Sequence, residues 1–332
     1  MKQIIYVSSA DSQQIEVWEL NSDSSLQLIQ ILKVDGEPQP IAITKNNKYL
    51  YIGIRPKFCI CSYRIEIDGT LTKIGFANMN CSVNHLEIDK TEKYLFSSSY
   101  HFNCVNVSPI NYLGIVQPSI QTIYGIKGCH ASLMHYNNKN LFVSSLKEDR
   151  IYLYNFTNEG ILLNSNIKFI PVKNNSGPRH MIFQKNTNRL FSINELNGSI
   201  NIWHIDELCN KITFLKHLNI ISCKLKYIAW SSDLHISPCE QYLYASNRGN
   251  NSITILRNNS NIDNIKIIGY IQTEVQPRAF NIDKKGKNLI VAGEKSNSIS
   301  IYSLECKTGH LTFKYRYPTG NRPVWISTCQ IS

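Results

Sequence analysis

The side chains best suited to chemistry fall in a few short, recurring contexts. One is Cys129-His130-Ala131, a second Gly177-Pro178-Arg179-His180, and a third Gln276-Pro277-Arg278. Three further runs, Leu146-Lys147-Glu148-Asp149-Arg150, Asn194-Glu195-Leu196 and Gly293-Glu294-Lys295, carry carboxylates and more cations, with Arg55, His85 and Arg248 in related places. An imidazole near a carboxylate suits a general base, because the carboxylate can hold one tautomer. Guanidinium forks bind carboxylate or phosphate in bidentate fashion, so the excess of Arg and Lys suits an anionic ligand. Whether these groups meet depends on the elements that carry them.

Those elements come from an internal repeat. Seven short strand-like runs have apolar anchors at Ile5, Leu50, Leu95, Leu141, Leu190, Leu243 and Leu289, separated by 45, 45, 46, 49, 53 and 46 residues. After each anchor comes a segment that alternates with period two, such as Ile15-Glu16-Val17-Trp18 or Ile200-Asn201-Ile202-Trp203. Alternation with β-branched residues predicts a strand. Five of the seven segments place an aromatic at the same point: Trp18, Tyr63, Tyr154, Trp203 and Tyr302. A ring that recurs once per repeat is expected to pack between neighbouring sheets. A strand precedes each anchor, as in Arg179-His180-Met181-Ile182-Phe183, and another follows the alternating segment, as in Leu71-Thr72-Lys73-Ile74-Gly75-Phe76.

Four short antiparallel strands per repeat, seven times over and without helical periodicity, predict an all-β, seven-bladed β-propeller. The chain begins in a second strand and ends on a first strand around Pro323-Val324-Trp325-Ile326, and Pro323 lies 46 residues after Pro277. The C-terminal strand is therefore expected to join the N-terminal blade and close the ring, removing exposed sheet edges. Residues 1–332 then form a single domain, although length alone suggests about two. In a propeller the first strand of each blade lines the central channel, and its start lies beside the end of the second strand. The charged runs should therefore gather at one mouth of that channel.

Composition narrows the alternatives. The hydrophobic fraction of 42% and charged fraction of 18% exclude a disordered chain. Lys and Arg number 35 against 24 acids, a net charge of +11. The lysines are dispersed through turns such as Lys45-Asn46-Asn47-Lys48 and Lys284-Lys285-Gly286-Lys287, which reads as a solvated surface rather than the basic stripe of a nucleic-acid binder. The charge would still gather an anionic substrate. No apolar run approaches the roughly 20 residues that cross a bilayer. Met1–Ser9 reaches Asp11 too soon to contain a signal-peptide apolar region, so the expected setting is cytoplasmic. The ten cysteines include no Cys-x-x-Cys and no Cys/His pair at zinc-site spacing, so free thiols and no metal are expected. Cys59-Ile60-Cys61 should place both thiols on one strand face.

The runs Gly128-Cys129-His130-Ala131, Gly177-Pro178-Arg179-His180-Met181, Asn194-Glu195-Leu196-Asn197 and Gln276-Pro277-Arg278-Ala279-Phe280-Asn281 together carry a specific likeness. With the opening Met1-Lys2-Gln3 and the stretches 50–56 and 146–151, the chain resembles the bacterial propeller-type 6-phosphogluconolactonases. That family is similar to the carboxy-muconate cycloisomerases of the same lactonase superfamily. The basic balance and a shortened stretch around Asn258–Asn264 depart from the family pattern, both away from the channel mouth. The resemblance implies hydrolysis of 6-phospho-D-glucono-1,5-lactone, the second step of the oxidative pentose phosphate route. It implies no cofactor; the expected partner is a small anionic sugar-phosphate lactone, not a nucleic acid or a membrane, and the expected state is a monomer.

The family's active-site His, Arg, Glu and second Arg fall here on His130, Arg179, Glu195 and Arg278, with His180 added as a substrate contact. Water must attack the lactone carbonyl, so a base and an oxyanion partner are needed. His130 is expected as the base, with Glu195 as its orienter or as the base itself. Arg179 or Arg278 would hold the oxyanion; the other, with Lys147, Lys295 or Arg55, would clamp the phosphate. No Gly-x-Ser-x-Gly elbow offers a serine nucleophile. The alternatives are a muconate-type lactonising reaction in the same mouth and a non-catalytic interaction scaffold, although no Trp-Asp dipeptide of the scaffold type occurs.

Overall fold

The structure, a computed structural model, describes residues 1–221 and 229–331. The alternating segments and their neighbours fold into seven four-stranded antiparallel sheets. Blade 1 is completed by the chain's end: Lys2–Ser9 pairs with Gln14–Leu20 on one side and with the C-terminal strand Pro323–Ile331 on the other. The innermost strands of blades 1 to 7 are Pro323–Ile331, Glu37–Ile43, His85–Ile88, Cys129–Met134, Pro178–Gln184, Ser231–Ile236 and Pro277–Ile282. Each contacts the innermost strand of the next blade, and blade 7 contacts blade 1, so the ring is closed as expected. Among the described residues the only helical elements are two three-residue 3-10 turns, Lys185–Thr187 and Ile262–Asn264.

The core is distributed among seven apolar clusters, one at each junction between neighbouring blades. Period-two strands make this possible, because alternate side chains point to opposite faces. In blade 1, Ile4 and Tyr6 pack toward blade 2, whereas Ile5 and Val7 pack toward blade 7. All seven anchors are fully buried, and so are the five recurring aromatics to within a few per cent of their surface. The nine described cysteines carry free thiols, and Cys59 and Cys61 share the cluster between blades 1 and 2. Cys223 lies outside the described residues.

One local feature decides what reaches the channel. In six blades the pairing of the first strand with the second slips near the start of the first strand. The side chains left unpaired by these bulges are Val324, Gln39-Pro40, His130-Ala131, Arg179-His180, Ser232-Asp233 and Arg278. A bulge re-aims the residues it frees, and bulges concentrate beside active sites.

Candidate active site at the channel mouth

Two local devices set His130 and Arg179 in place. Gly128 and Gly177, each just before a first strand, have φ of 65° and 66°, a left-handed conformation that favours glycine. The Asp149 carboxylate, on the blade 4 hairpin, accepts hydrogen bonds from the backbone N–H groups of Asn175, Ser176 and Gly177, fixing the approach to blade 5. The turns after the second strands then bond back to the first-strand starts. Leu146 N donates to Gly128 O at 3.1 Å, Glu195 N to Gly177 O at 2.8 Å and Glu294 N to Gln276 O at 3.0 Å. Ser144 Oγ ties blade 4 to blade 5 by donating to Arg179 O at 2.7 Å, and Ser232 Oγ ties blade 6 to blade 7 by donating to Arg278 O at 2.6 Å.

The expected residues converge. Glu195 Oε2 lies 3.0 Å from Arg179 Nε and accepts from Arg248 Nη2 at 2.8 Å. Arg179 also donates through Nη1 to Ser232 O and sits 3.2 Å from His180 Nε2. The His130 and His180 rings are 5.2 Å apart, and Tyr100 lies 6.1 Å from His130 on its other side. Arg278, a quarter exposed, has one long ion pair, 3.8 Å to Glu294. Its charge acts on His130, Arg179, Arg248 and Arg55 alike.

The outer cations are held differently. Lys147 is exposed, with its ammonium 5.0 Å from the centre of the Tyr100 ring, beside His130. Arg55 is half-buried and donates through Nη2 to Val83 O and Asn84 Oδ1. Lys295 is exposed, and its ammonium has no hydrogen bond or ion pair among the described residues, so nothing ties it to the cluster.

Two expectations change. Glu195 is not the orienter of His130, because its bonded oxygen is taken by Arg179 and Arg248 while His130 Nδ1 is buried without a partner. His180, expected as a substrate contact, has both its ring nitrogens engaged, Nε2 beside Arg179 and Nδ1 at 2.7 Å from Asp233 Oδ1. Sequence reasoning places Arg248 at the mouth without a role and misses Asp233 altogether. The available signal for Asp233 is its register: it occupies the bulge position in blade 6 that His180 occupies in blade 5.

Electrostatics follow from burial at the centre of a basic cluster. Burial, together with Arg179, His180, Arg278 and His85, pushes the His130 pKa well below the usual imidazole value, so the ring is neutral at neutral pH. Burial lowers His180 to about 4 and His85 to about 3, against the opposing pull of Asp233. Arg179, fully buried beside Arg248 and Arg278, is lowered to about 9, with Glu195 and Asp233 holding its charge. Beneath the mouth a channel cavity of about 260 Å³ is lined by His85, Glu87, His180, Asp233, His235 and Trp325, among others.

A closed propeller with imidazole, carboxylate and several guanidiniums at one channel mouth offers the groups that an enzyme acting on a small anion would use. The family model described as "Lactonase, 7-bladed beta-propeller" matches residues 4–328, and the chain belongs to that family. A 6-phosphogluconolactonase of Buchnera aphidicola subsp. Baizongia pistaciae is 54% identical, with all of both chains covered. One from Serratia proteamaculans is 40% identical over 98% of this chain and 99% of its own. Among solved structures, a periplasmic gluconolactonase of Pseudomonas aeruginosa superposes with a TM-score of 0.93 at 18% identity, both chains covered completely. A Lactobacillus plantarum protein superposes at 0.89 with 21% identity over 99% of this chain and 100% of its own; these two likenesses speak to the fold.

Proposed function

We propose that this chain hydrolyses 6-phospho-D-glucono-1,5-lactone to 6-phospho-D-gluconate, the second step of the oxidative pentose phosphate route. Full-length relatives of that name at 40–54% identity support the reaction. The observation that carries the site is the set of bulge residues, which aims His130, Arg179 and Arg278 from three blades at one mouth around Glu195.

His130 takes the proton of the attacking water. It is neutral at working pH, so its unprotonated ring nitrogen can accept that proton. The anionic substrate and developing oxyanion favour the imidazolium that results. Arg278 holds the oxyanion, because it is partly exposed and its guanidinium has, among the described residues, only a 3.8 Å ion pair, whereas Arg179 is committed to Glu195, Ser232 and His180. Arg179, Glu195 and Arg248 form the rigid floor against which the lactone sits. The tetrahedral intermediate collapses by breaking the bond from C1 to the ring oxygen, and that oxygen takes back the proton held on His130. The acid formed ionises, so one water is consumed and one proton released. Lys147 and Arg55, toward the outside, hold the phosphate, and Lys295, exposed on the blade 7 turn, is the further candidate for that clamp.

The same reading makes the chain a cytoplasmic monomer that acts on a small sugar-phosphate lactone without nucleic acid or membrane. Among the described residues no helix is long and apolar enough to cross a membrane. The competing reaction, lactonisation of a muconate, has no use for a phosphate clamp. Turnover of the phosphorylated lactone, glucono-1,5-lactone and a carboxy-muconate should therefore be compared. The phosphorylated lactone should be preferred, and Lys147→Ala should raise its KM while leaving the unphosphorylated lactone unaffected. Equal turnover of both lactones, or faster turnover of the muconate, would contradict the assignment.

A further inference from the structure

We infer that Asp233 is a positioning residue for the reaction, acting through His180 to fix the guanidinium of Arg179 in the mouth. This rests on the proposed lactone hydrolysis and adds a carboxylate from blade 6, where sequence reasoning placed only Arg248 at the mouth.

The geometry is a continuous relay. Asp233 is buried, and its carboxylate is saturated: Oδ1 lies 2.7 Å from His180 Nδ1 and accepts from Leu234 N at 2.9 Å. Oδ2 accepts from Phe280 N at 3.2 Å and lies 3.3 Å from His235 Nε2. Burial opposes its charge, but His235 and His180 beside it hold it well below the usual carboxylate range, so it stays ionised. An ionised carboxylate only accepts, so His180 must carry its proton on Nδ1. His180 is neutral, and its Nε2 therefore presents a lone pair, 3.2 Å from Arg179 Nη1. The same Nη1 donates to Ser232 O, next to Asp233 in the chain, and Arg179 Nε faces Glu195. Blade 6 thus sets the tautomer of a blade 5 imidazole, and that imidazole sets the plane of the guanidinium. A carboxylate that orients an imidazole in this way is a recurrent device in active sites. With both nitrogens engaged, His180 supports Arg179 instead of touching substrate.

Asp233 also counters charge. Arg179 is faced by Arg248 and Glu195 from the turns of blades 6 and 5, by Arg278 from blade 7, by Asp233 from blade 6, and by His130 and His85 from blades 4 and 3. At Arg179 itself, Glu195 and Asp233 are set against Arg248 and Arg278. Removing the Asp233 charge lowers the Arg179 pKa further, so an activity that needs charged Arg179 fails at a lower pH on the alkaline side.

The test is Asp233→Asn, which keeps the shape and removes the charge. Rates are followed as lactone loss above the uncatalysed background from pH 6 to 9. Loss of kcat should be about 10–100-fold, by analogy with the carboxylates that orient metal-ligating histidines. KM should change little, and the alkaline limb should move to lower pH. If the variant accelerates lactone loss as well as the native protein, with the same alkaline limb, the inference is overturned. No acceleration by the native protein would instead overturn the proposed reaction. Should Asp233→Asn fail to fold, His180→Ala cuts the same relay while leaving Asp233 its bonds to His235, Leu234 and Phe280. It should lower kcat with KM retained, and an unchanged kcat would overturn the inference.

Discussion

Arg278 differs from the other guanidiniums of the mouth in how little it holds. Arg179 and Arg248 share the Glu195 carboxylate, and Arg248 also stacks on Trp230 at 4.2 Å, whereas among the described residues the Arg278 side chain reaches only Glu294, at 3.8 Å. A donor that is free before substrate arrives can be complementary to charge that appears only in the transition state. Arg278→Ala should therefore lower kcat several-hundredfold, about 3–4 kcal/mol for one lost transition-state donor, with folding intact. Steady-state kinetics beside a thermal melt checks this; unchanged turnover in a folded variant removes Arg278 from the site. His130, Arg179 and Arg278 are legible in the sequence because a Gly or Pro one or two residues before each marks the start of a first strand. Asp233 is not, because Ser231-Ser232-Asp233 has no such mark, and its partners, His180 and His235, are chosen by cross-blade geometry. The pairing of Glu195 with two arginines rather than with His130 is invisible for the same reason: spacing places a residue at the mouth but does not aim it.

At the scale of the strand, the repeat is legible because every blade needs the same aliphatic anchor and the same alternating segment to fill two junctions at once. The bulges are not, since a slip in register belongs to two strands together and leaves no mark in either. The recurring aromatics belong wholly to this scale. Trp203 is 2% exposed and packs in the cluster between blades 4 and 5. Trp203→Ala should cost about 3–5 kcal/mol of stability by leaving a cavity. A urea titration should show a lower midpoint, with KM for the lactone unchanged. A midpoint equal to that of the native protein would mean that the ring does not hold the junction.

For the molecule as a whole, closure by the C-terminal strand turns seven marginal sheets into a ring around a channel that contains ionisable groups. Three imidazoles from three blades, His85, His130 and His180, are buried in or beside the channel, their rings in edge contact. Burial is the main cause that lowers each, to about 3 for His85, to about 4 for His180 and well below 6.5 for His130. In the unfolded chain they titrate near ~6.5. Below that pH the unfolded state binds protons that the folded state refuses, so stability falls as pH falls toward the folded values. The melting temperature should be nearly level above pH ~7 and drop steadily between pH ~6.5 and ~4, and His85→Gln should flatten that drop. A melting temperature independent of pH through that window would mean that the imidazoles are solvated. The net charge of +11 acts at this scale too, as a field that draws an anionic lactone toward the molecule.

The most direct test of the central claim is lactone opening itself. 6-Phosphogluconolactone is generated in place from glucose 6-phosphate, and its loss is followed at neutral pH without protein, with the native chain and with His130→Ala. Acceleration by the native chain that the folded His130→Ala variant lacks is the predicted result. No acceleration by a folded native preparation would contradict the reaction, and equal acceleration by the variant would contradict the channel mouth as its site.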